Sequence, residues 1–306
     1  MNITICFDDI EPEPWIVGFK KVLPDANVSV WQSGSPLADY AVVWNPTQQF
    51  IDEQHKVKAI FNIGAGVEGL LQLKLPENIK IIRLDSDSVA IQMAEYVCHE
   101  VMRQFRDFKY YESQKQLGKW SYRKTKNRED FAVGVMGLGT LGMQVIKILQ
   151  MFGYPVNAYS RTPKEIQGVN CFNGILELKE FLNNTRILVN LLPLTPETEN
   201  ILNRNNLSQL KPNGYVINVA RGKHLVDQDL LDLINDGHLS GATLDVFRQE
   251  PLPADSPFWH HPKVTVTPHM SARATREEIV RQIVSKISNL QTGKEVSGLV
   301  DRIRGY

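Results

Sequence analysis

The sequence predicts an α/β protein built from two doubly wound parallel-sheet domains, and three observations carry that prediction. A chain of 306 residues has the length of about two domains. Short β-rich runs alternate with helical stretches twice, on either side of one long amphipathic helix. A glycine-rich turn, Gly137-Leu138-Gly139-Thr140-Leu141-Gly142, stands where a strand pattern gives way to a helical one.

The first alternation places strands at 2–7, 27–31, 40–44, 58–63 and 80–84, several ending in Gly, Asn or Asp. Met93, Val97, Val101, Phe105 and Phe108 then recur at spacings of four and three, which predicts one helix over 93–108. A Lys/Arg-rich stretch at 119–130 reads as a solvated connection. The second alternation gives strands at 131–136, 156–159, 169–172, 186–191, 215–219, 242–246 and 264–267. Thr275-Arg276-Glu277-Glu278 has a capping-box pattern and opens a last helix, expected to pack back on the first domain. The expected domains are therefore 1–92 with 273–306, and 93–272.

Lys and Arg total 34 and Asp and Glu total 34, a balance that argues against nucleic acid or an anionic membrane surface as partner. Ile187 to Leu192, among the longest apolar runs, is far short of a membrane span. Early acids (Asp8, Asp9, Glu11) stand where a signal peptide needs a basic end. Cys6, Cys98 and Cys171 are too scattered for a disulfide framework or a metal site. A reduced, cytoplasmic protein without a metal is expected.

In the glycine turn, the first glycine permits the tight turn and the second lets backbone approach a pyrophosphate. The third lets helix pack on strand, with phosphate at the helix N-terminus beside Thr140 and Leu141. A NAD site places an acid at the end of the next strand, roughly twenty residues on. Here that position is Ser160, followed by Arg161-Thr162-Pro163-Lys164. A hydroxyl, a guanidinium and an ammonium suit a ribose 2′-phosphate, so NADP(H) is expected over NAD(H), with a solvated basic turn as the alternative.

Further segments resemble a family. Asn218-Val219-Ala220-Arg221-Gly222, Leu244-Asp245-Val246-Phe247-Arg248-Gln249-Glu250-Pro251 and Thr267-Pro268-His269, in this order after the glycine turn, resemble the D-isomer-specific 2-hydroxyacid dehydrogenases. Leu192-Pro193-Leu194-Thr195-Pro196-Glu197-Thr198 is similar to that family's loop beside the cofactor. Asn62-Ile63-Gly64-Ala65-Gly66-Val67 is similar to its substrate-carboxylate loop. Arg83-Leu84-Asp85 and Gln92-Met93-Ala94-Glu95-Tyr96 favour a bacterial branch that reduces glyoxylate and hydroxypyruvate. The resemblance spans essentially the whole chain. It implies a flavodoxin-like substrate domain, a Rossmann dinucleotide domain and a homodimer made through the 93–108 helix and the segment after it.

The chemistry of 2-oxoacid reduction assigns the residues. His269 suits the proton step because histidine titrates near neutrality. Glu250 would hold the imidazole and favour its charged form. Arg221 would grip the substrate carboxylate and polarise the carbonyl. The resemblance adds backbone amides at Ala65 and Gly66 for the carboxylate, Asp245 for the nicotinamide carboxamide, Leu192, Pro193, Thr198 and Ala220 along the cofactor, and Trp44 in the substrate pocket or in the core. Two departures stand out: Glu68 replaces the family's frequent Asp, and the family's usual Ser-Ala-x-Thr after the histidine reads Ser271-Ala272-Arg273-Ala274, with Thr275 one place late; Arg273 faces either the pocket mouth or solvent. Larger 2-oxoacids, formate or phosphite, and a dinucleotide-sensing corepressor-like role are the competing readings.

Overall fold

Strand runs rich in Val and Ile and buried on both faces require helices on both sides of each sheet. The computed structural model, which describes residues 1–64, 66–85 and 87–305, arranges them that way. The chain divides into two units, Met1–Ser86 with Ala274–Tyr306, and Asp87–Arg273.

The first unit contains β1 (Asn2–Phe7), α1 (Glu13–Val22), β2 (Asn27–Val30), β3 (Tyr40–Trp44), α2 (Gln48–Glu53), β4 (Ala59–Asn62), α3 (Glu68–Leu71) and β5 (Lys80–Arg83). Its strands are all parallel, in the order β2-β1-β3-β4-β5, the flavodoxin-like arrangement. One face buries Ile3, Ile5, Val42 and Phe61 against Phe19 of α1. The other buries Ala41, Val43, Ile60 and Ile81 against Phe50, Ile51 and Leu70.

The second unit contains α4 (Asp87–Phe105), α5 (Phe108–Gln116), β6 (Val133–Met136), α6 (Thr140–Met151), β7 (Val156–Ser160), β8 (Asn170–Asn173), α7 (Gly174–Asn183), β9 (Ile187–Asn190), α8 (Arg204–Leu207), β10 (Gly214–Asn218), α9 (Asp227–Asn235), β11 (Leu239–Leu244) and β12 (Val264–Val266). The parallel order β12-β11-β10-β9-β6-β7-β8 reverses direction between β6 and β9, the switch point at which such sheets bind dinucleotides. The chain then returns to the first unit as α10 (Arg276–Gln291). Its Thr275 hydroxyl caps the helix by accepting from the Glu278 N–H at 3.3 Å. Ile279, Val280, Ile283 and Ile287 bury the helix against the β1 face. The buried Lys286 pins it further, donating to the Arg83 and Ser297 carbonyls at 3.1 and 2.8 Å and pairing with Asp85. The Arg83-Leu84-Asp85 segment is thus a docking point for α10.

The helix expected at 93–108 is different in extent. It begins at Asp87 and stops at Phe105, because Asp107 turns into the left-handed region at φ 55° before α5 starts. Arg123 and Lys126, at 3.2 and 2.9 Å from the Asp107 carboxylate, hold that turn. Because α4 is continuous from Asp87, residues 87–92 fall in the second unit rather than the first. Its apolar face is not left for a partner: Met93, Ala94, Val97, Cys98 and Val101 pack with Val145, Ile146 and Leu149 of α6. Exposed apolar side chains lie at Ile91 on another side of α4, at Phe108 of α5 and, after α5, at Leu117, Trp120 and Tyr122.

Ile283 of α10 is fully buried, so Ile283→Ala should lower the unfolding free energy by about 2–5 kcal/mol in urea titration. A loss below about 0.5 kcal/mol would mean that α10 does not complete the first unit's core.

Candidate active site

The glycine turn separates packing needs from ligand needs. Gly137 sits at φ 101°, and a Cβ there would meet the Leu191 carbonyl oxygen at 2.6 Å. A Cβ on Gly142, in the first turn of α6, would meet the Gly137 oxygen at 1.9 Å. Both glycines are therefore demanded by the fold. A Cβ on Gly139 would meet nothing within 4 Å, so no protein atom explains its bareness. Open space at the N-terminus of α6, where Thr140 and Leu141 begin the helix, fits a phosphate.

The end of β7 carries no carboxylate. The buried Ser160 hydroxyl donates to the Thr162 carbonyl at 2.7 Å, shaping the basic turn. Lys164 Nζ donates to the Leu138 carbonyl at 2.5 Å, which ties this turn to the glycine turn. Arg161 is exposed, and its charge adds to the hydrogen bond from Thr195 that chiefly holds the Glu197 carboxyl below the usual range. Arg161 thus faces the 192–198 loop. Within that loop the Thr198 hydroxyl donates to Pro193 O at 2.7 Å and accepts from Thr195 N at 2.8 Å, so it closes the loop on itself.

Two buried asparagines set the neighbouring loops. Asn190 and Asn218 end β9 and β10, and Asn190 Nδ2 donates to Asn218 Oδ1 at 3.0 Å. Their remaining groups reach the backbone: Leu192 N–H to Asn190 Oδ1 at 3.2 Å, Ala220 N–H to Asn218 Oδ1 at 3.3 Å, and Asn218 Nδ2 to the Arg221 carbonyl at 3.1 Å. A Cβ on Gly222 would lie 1.8 Å from the Phe247 carbonyl carbon. Only glycine lets the Arg221 turn press against the 247–248 backbone.

His269 stands in the left-handed region at φ 49°, a conformation that costs a non-glycine residue about 1–3 kcal/mol unless its surroundings impose it. Asp245 imposes much of it. Its carbonyl accepts from His269 N–H at 2.8 Å. Its fully buried carboxylate accepts from Thr267 Oγ1 at 2.6 Å and from the Met270 and Ser271 N–H groups at 2.9 Å each. The Tyr96 hydroxyl adds a contact to Thr267 Oγ1 at 2.5 Å, and burial pushes its pKa well up. Asp245, expected from the resemblance at the nicotinamide carboxamide, has both oxygens engaged in building the 267–271 loop.

His269 Nδ1 lies 2.7 Å from Glu250 Oε2, while Glu250 Oε1 accepts from Phe247 N–H at 2.9 Å. Burial alone would raise the Glu250 pKa. The bonds from His269 and Phe247, with the charges of His269 and Arg221, outweigh it and hold the carboxyl below its ordinary range. With Nδ1 occupied, Nε2 is the ring nitrogen that can present a proton. The guanidinium of Arg221 is therefore in the electrostatic neighbourhood of Glu250. Arg221 Nη1 also donates to the Ala220 carbonyl at 2.6 Å.

In the first unit the Gly64–Val67 loop leaves β4 under a brace not anticipated from the sequence. Asn62 Nδ2 donates to the Gly64 and Gly66 carbonyls at 3.0 and 2.8 Å. The half-buried Trp44 ring lies over Gly64, where a Cβ would fall 2.3 Å from a ring carbon. Ala65 lies outside the described residues. Asn62, Asn190 and Asn218 share a legible signal, since each closes an apolar strand run. Tyr96 and Thr267 lie in motifs of the resemblance, but nothing local marks their contact with each other, which is purely tertiary. Among the described residues no group of His, Cys, Asp and Glu is arranged to hold a metal, and no helix is long and apolar enough to cross a membrane.

Known proteins resemble this chain in sequence and fold. Residues 98–271 match the model of the D-isomer specific 2-hydroxyacid dehydrogenase, NAD binding domain. The chain is 42% identical to the glyoxylate/hydroxypyruvate reductase A of Yersinia enterocolitica, over all of both chains. A crystal structure from Xanthobacter autotrophicus, a D-isomer specific 2-hydroxyacid dehydrogenase in complex with NADPH and MES, superposes with a TM-score of 0.92 at 34% identity over 99% of each chain. The NADPH-dependent glyoxylate/hydroxypyruvate reductase of Sinorhizobium meliloti, with NADP and sulfate, gives 0.93 at 30% identity, covering 100% of this chain and 99% of that one.

The Glu250–His269 pair has a direct test. In the wild type the depressed Glu250 pKa contributes stability that is present above the ordinary carboxylate range and is lost as pH falls through the lowered value. His269→Phe removes the hydrogen bond and charge but keeps the burial, so the Glu250 carboxyl should titrate at a higher pH when followed by carboxyl 13C NMR. An unmoved titration would show that the two side chains do not pair in solution.

Proposed function

Because the chain belongs to the D-isomer specific 2-hydroxyacid dehydrogenase family, we propose that it is an NADPH-dependent reductase of small 2-oxoacids, converting glyoxylate to glycolate and hydroxypyruvate to glycerate. The observation that carries this reading is the His269–Glu250 pair at 2.7 Å, with Arg221 in its electrostatic neighbourhood.

Bound at the glycine turn, NADPH supplies a hydride to the carbonyl carbon. Gly137, Gly139, Gly142 and the α6 N-terminus would hold its pyrophosphate. Ser160, Arg161, Thr162 and Lys164 would meet the ribose phosphate, where an acid would repel it. His269 delivers the proton from Nε2 to the carbonyl oxygen, and Glu250 keeps the ring oriented and stabilises the imidazolium before transfer. Arg221 grips the carboxylate by paired N–H donors and draws charge toward the carbonyl oxygen as it develops. In the first unit, the Asn62-braced loop at Gly66 and the Trp44 ring are proposed to contact the substrate. Relatives named glyoxylate/hydroxypyruvate reductases support the catalytic reading over the corepressor-like one, in keeping with the paired His269 and Glu250.

A homodimer is proposed as well, supported by the exposed Phe108, Leu117, Trp120 and Tyr122 in α5 and the segment after it. The buried free thiols Cys6 and Cys98, pushed up to about 11 and about 12 by desolvation, suit a reducing cytoplasm.

Loss of NADPH absorbance should occur with glyoxylate and hydroxypyruvate and be weaker with bulkier oxoacids; no loss with any 2-oxoacid would sink the assignment. NADPH should be used more efficiently than NADH, and Arg161→Ala should weaken NADPH alone by roughly ten- to a hundredfold. His269→Gln should lower kcat by roughly 10²–10⁴-fold while NADPH binding holds. Unchanged turnover in that variant would remove His269 from the proton step.

A further inference from the structure

We propose that Arg273 is a positioning residue for the proton donor: its guanidinium clamps the His269 carbonyl and so fixes the backbone from which the imidazole meets Glu250. This rests on the reductase reading for its catalytic consequence, although not for its geometry.

Arg273 Nε and Nη2 both donate to the His269 carbonyl oxygen, at 3.0 and 2.8 Å. Two charged donors on one acceptor make a stronger and more directional contact than a neutral bond. The acceptor belongs to the one residue of the 267–271 loop whose backbone is left-handed, at φ 49°. Asp245 secures the N–H side of that residue and the two amides after it. Nothing in Asp245 can hold the carbonyl, which is an acceptor and needs a donor. Arg273 supplies it.

The clamp has a fixed base. Arg273 N–H donates to Gln92 Oε1 at 3.1 Å, and Gln92 Nε2 donates back to the Arg273 carbonyl at 3.0 Å. This reciprocal pair anchors the arginine backbone on α4. The side chain is exposed, so its bonds are not a by-product of core packing. A residue held at both its N–H and its carbonyl cannot rotate, and rotation about this residue is what would swing the ring away from Glu250. A misplacement of about 1 Å at a reacting group is enough to cost a large factor in rate.

The experiment compares wild type, Arg273→Ala and Arg273→Lys by two readouts. The His269 Cα chemical shift reports the backbone without reference to activity. In Arg273→Ala it should move toward the extended-backbone value, with Arg273→Lys intermediate, because an ammonium keeps one donor to the carbonyl. With glyoxylate and NADPH, Arg273→Ala should lower kcat by about ten- to a hundredfold and raise the solvent isotope effect on kcat. KM for NADPH and the Tm should stay at wild-type values, and Arg273→Lys should recover part of the rate. An unmoved His269 shift in Arg273→Ala overturns the proposal, as does a rate loss that tracks KM for NADPH or Tm. Wild-type protein inactive on every 2-oxoacid, but with the expected shift change, would sink the reductase reading and leave the clamp standing.

Discussion

A carboxylate sealed away from water is tolerated only when donors surround it, and Asp245 turns that constraint into a building rule. Its donors are Thr267 and the amides of Met270 and Ser271, so satisfying the charge obliges the chain after β12 to fold back over the end of β11. His269 lies between the donors and inherits a backbone it would not choose alone. Cause therefore runs from the core outward: the buried carboxylate at the end of β11 sets the backbone of His269, and the bond from its Nδ1 to Glu250 then orients the ring. Tyr96 extends the same chain of bonds to α4, a helix that already packs in the second unit through its apolar face on α6.

The asparagines at the strand ends solve a related problem. A parallel sheet stops with backbone groups that no neighbouring strand can pair, and these must find partners where the loops begin. A short side chain carrying both donor and acceptor can serve two loops at once. Asn190 and Asn218 do so for the 192 and 220–221 backbones, while the Asn62 amide spans Gly64 and Gly66. The loops offered for cofactor and substrate are therefore held by the same side chains that finish the sheets. Loop placement and sheet completion are one structural event.

Most of the architecture was legible because it depends on local pattern. Runs such as 40–44 and 187–190 are largely apolar, and the Gly137 turn needs a conformation and a clearance that only glycine supplies. The capping box at Thr275 is likewise decided within four residues. What was not legible depends on partners distant in sequence. The end of the 87–105 helix is set by Asp107 meeting Arg123 and Lys126, and its apolar stripe could equally have faced a second copy until α6 was seen to fill it. Asp245 was legible only in part for the same reason: residue type and position marked a carboxylate at a strand end, but the donors that engage it lie 22 to 26 residues away.

A net charge of zero conceals how the cations are distributed around the second unit's chemistry. Arg161 and Lys164 follow β7, Arg221 follows β10 and Arg273 follows β12, all at the carboxyl ends of strands. Those ends are where a doubly wound sheet binds its ligands. The cations are not interchangeable there. Lys164 is committed to the Leu138 carbonyl and Arg273 to that of His269, so each stabilises backbone as well as adding positive potential. Arg221 likewise donates to the Ala220 carbonyl; Arg161 and Arg221 are the two proposed to meet anions, one the ribose phosphate and one the carboxylate. Planarity is what fits arginine to both tasks, since a guanidinium can place two donors on one carbonyl or on one anion. Glu250, which is in the electrostatic reach of Arg221, is hydrogen-bonded to His269, and the charge balance of the whole chain says nothing about the edge where the reaction is proposed to run.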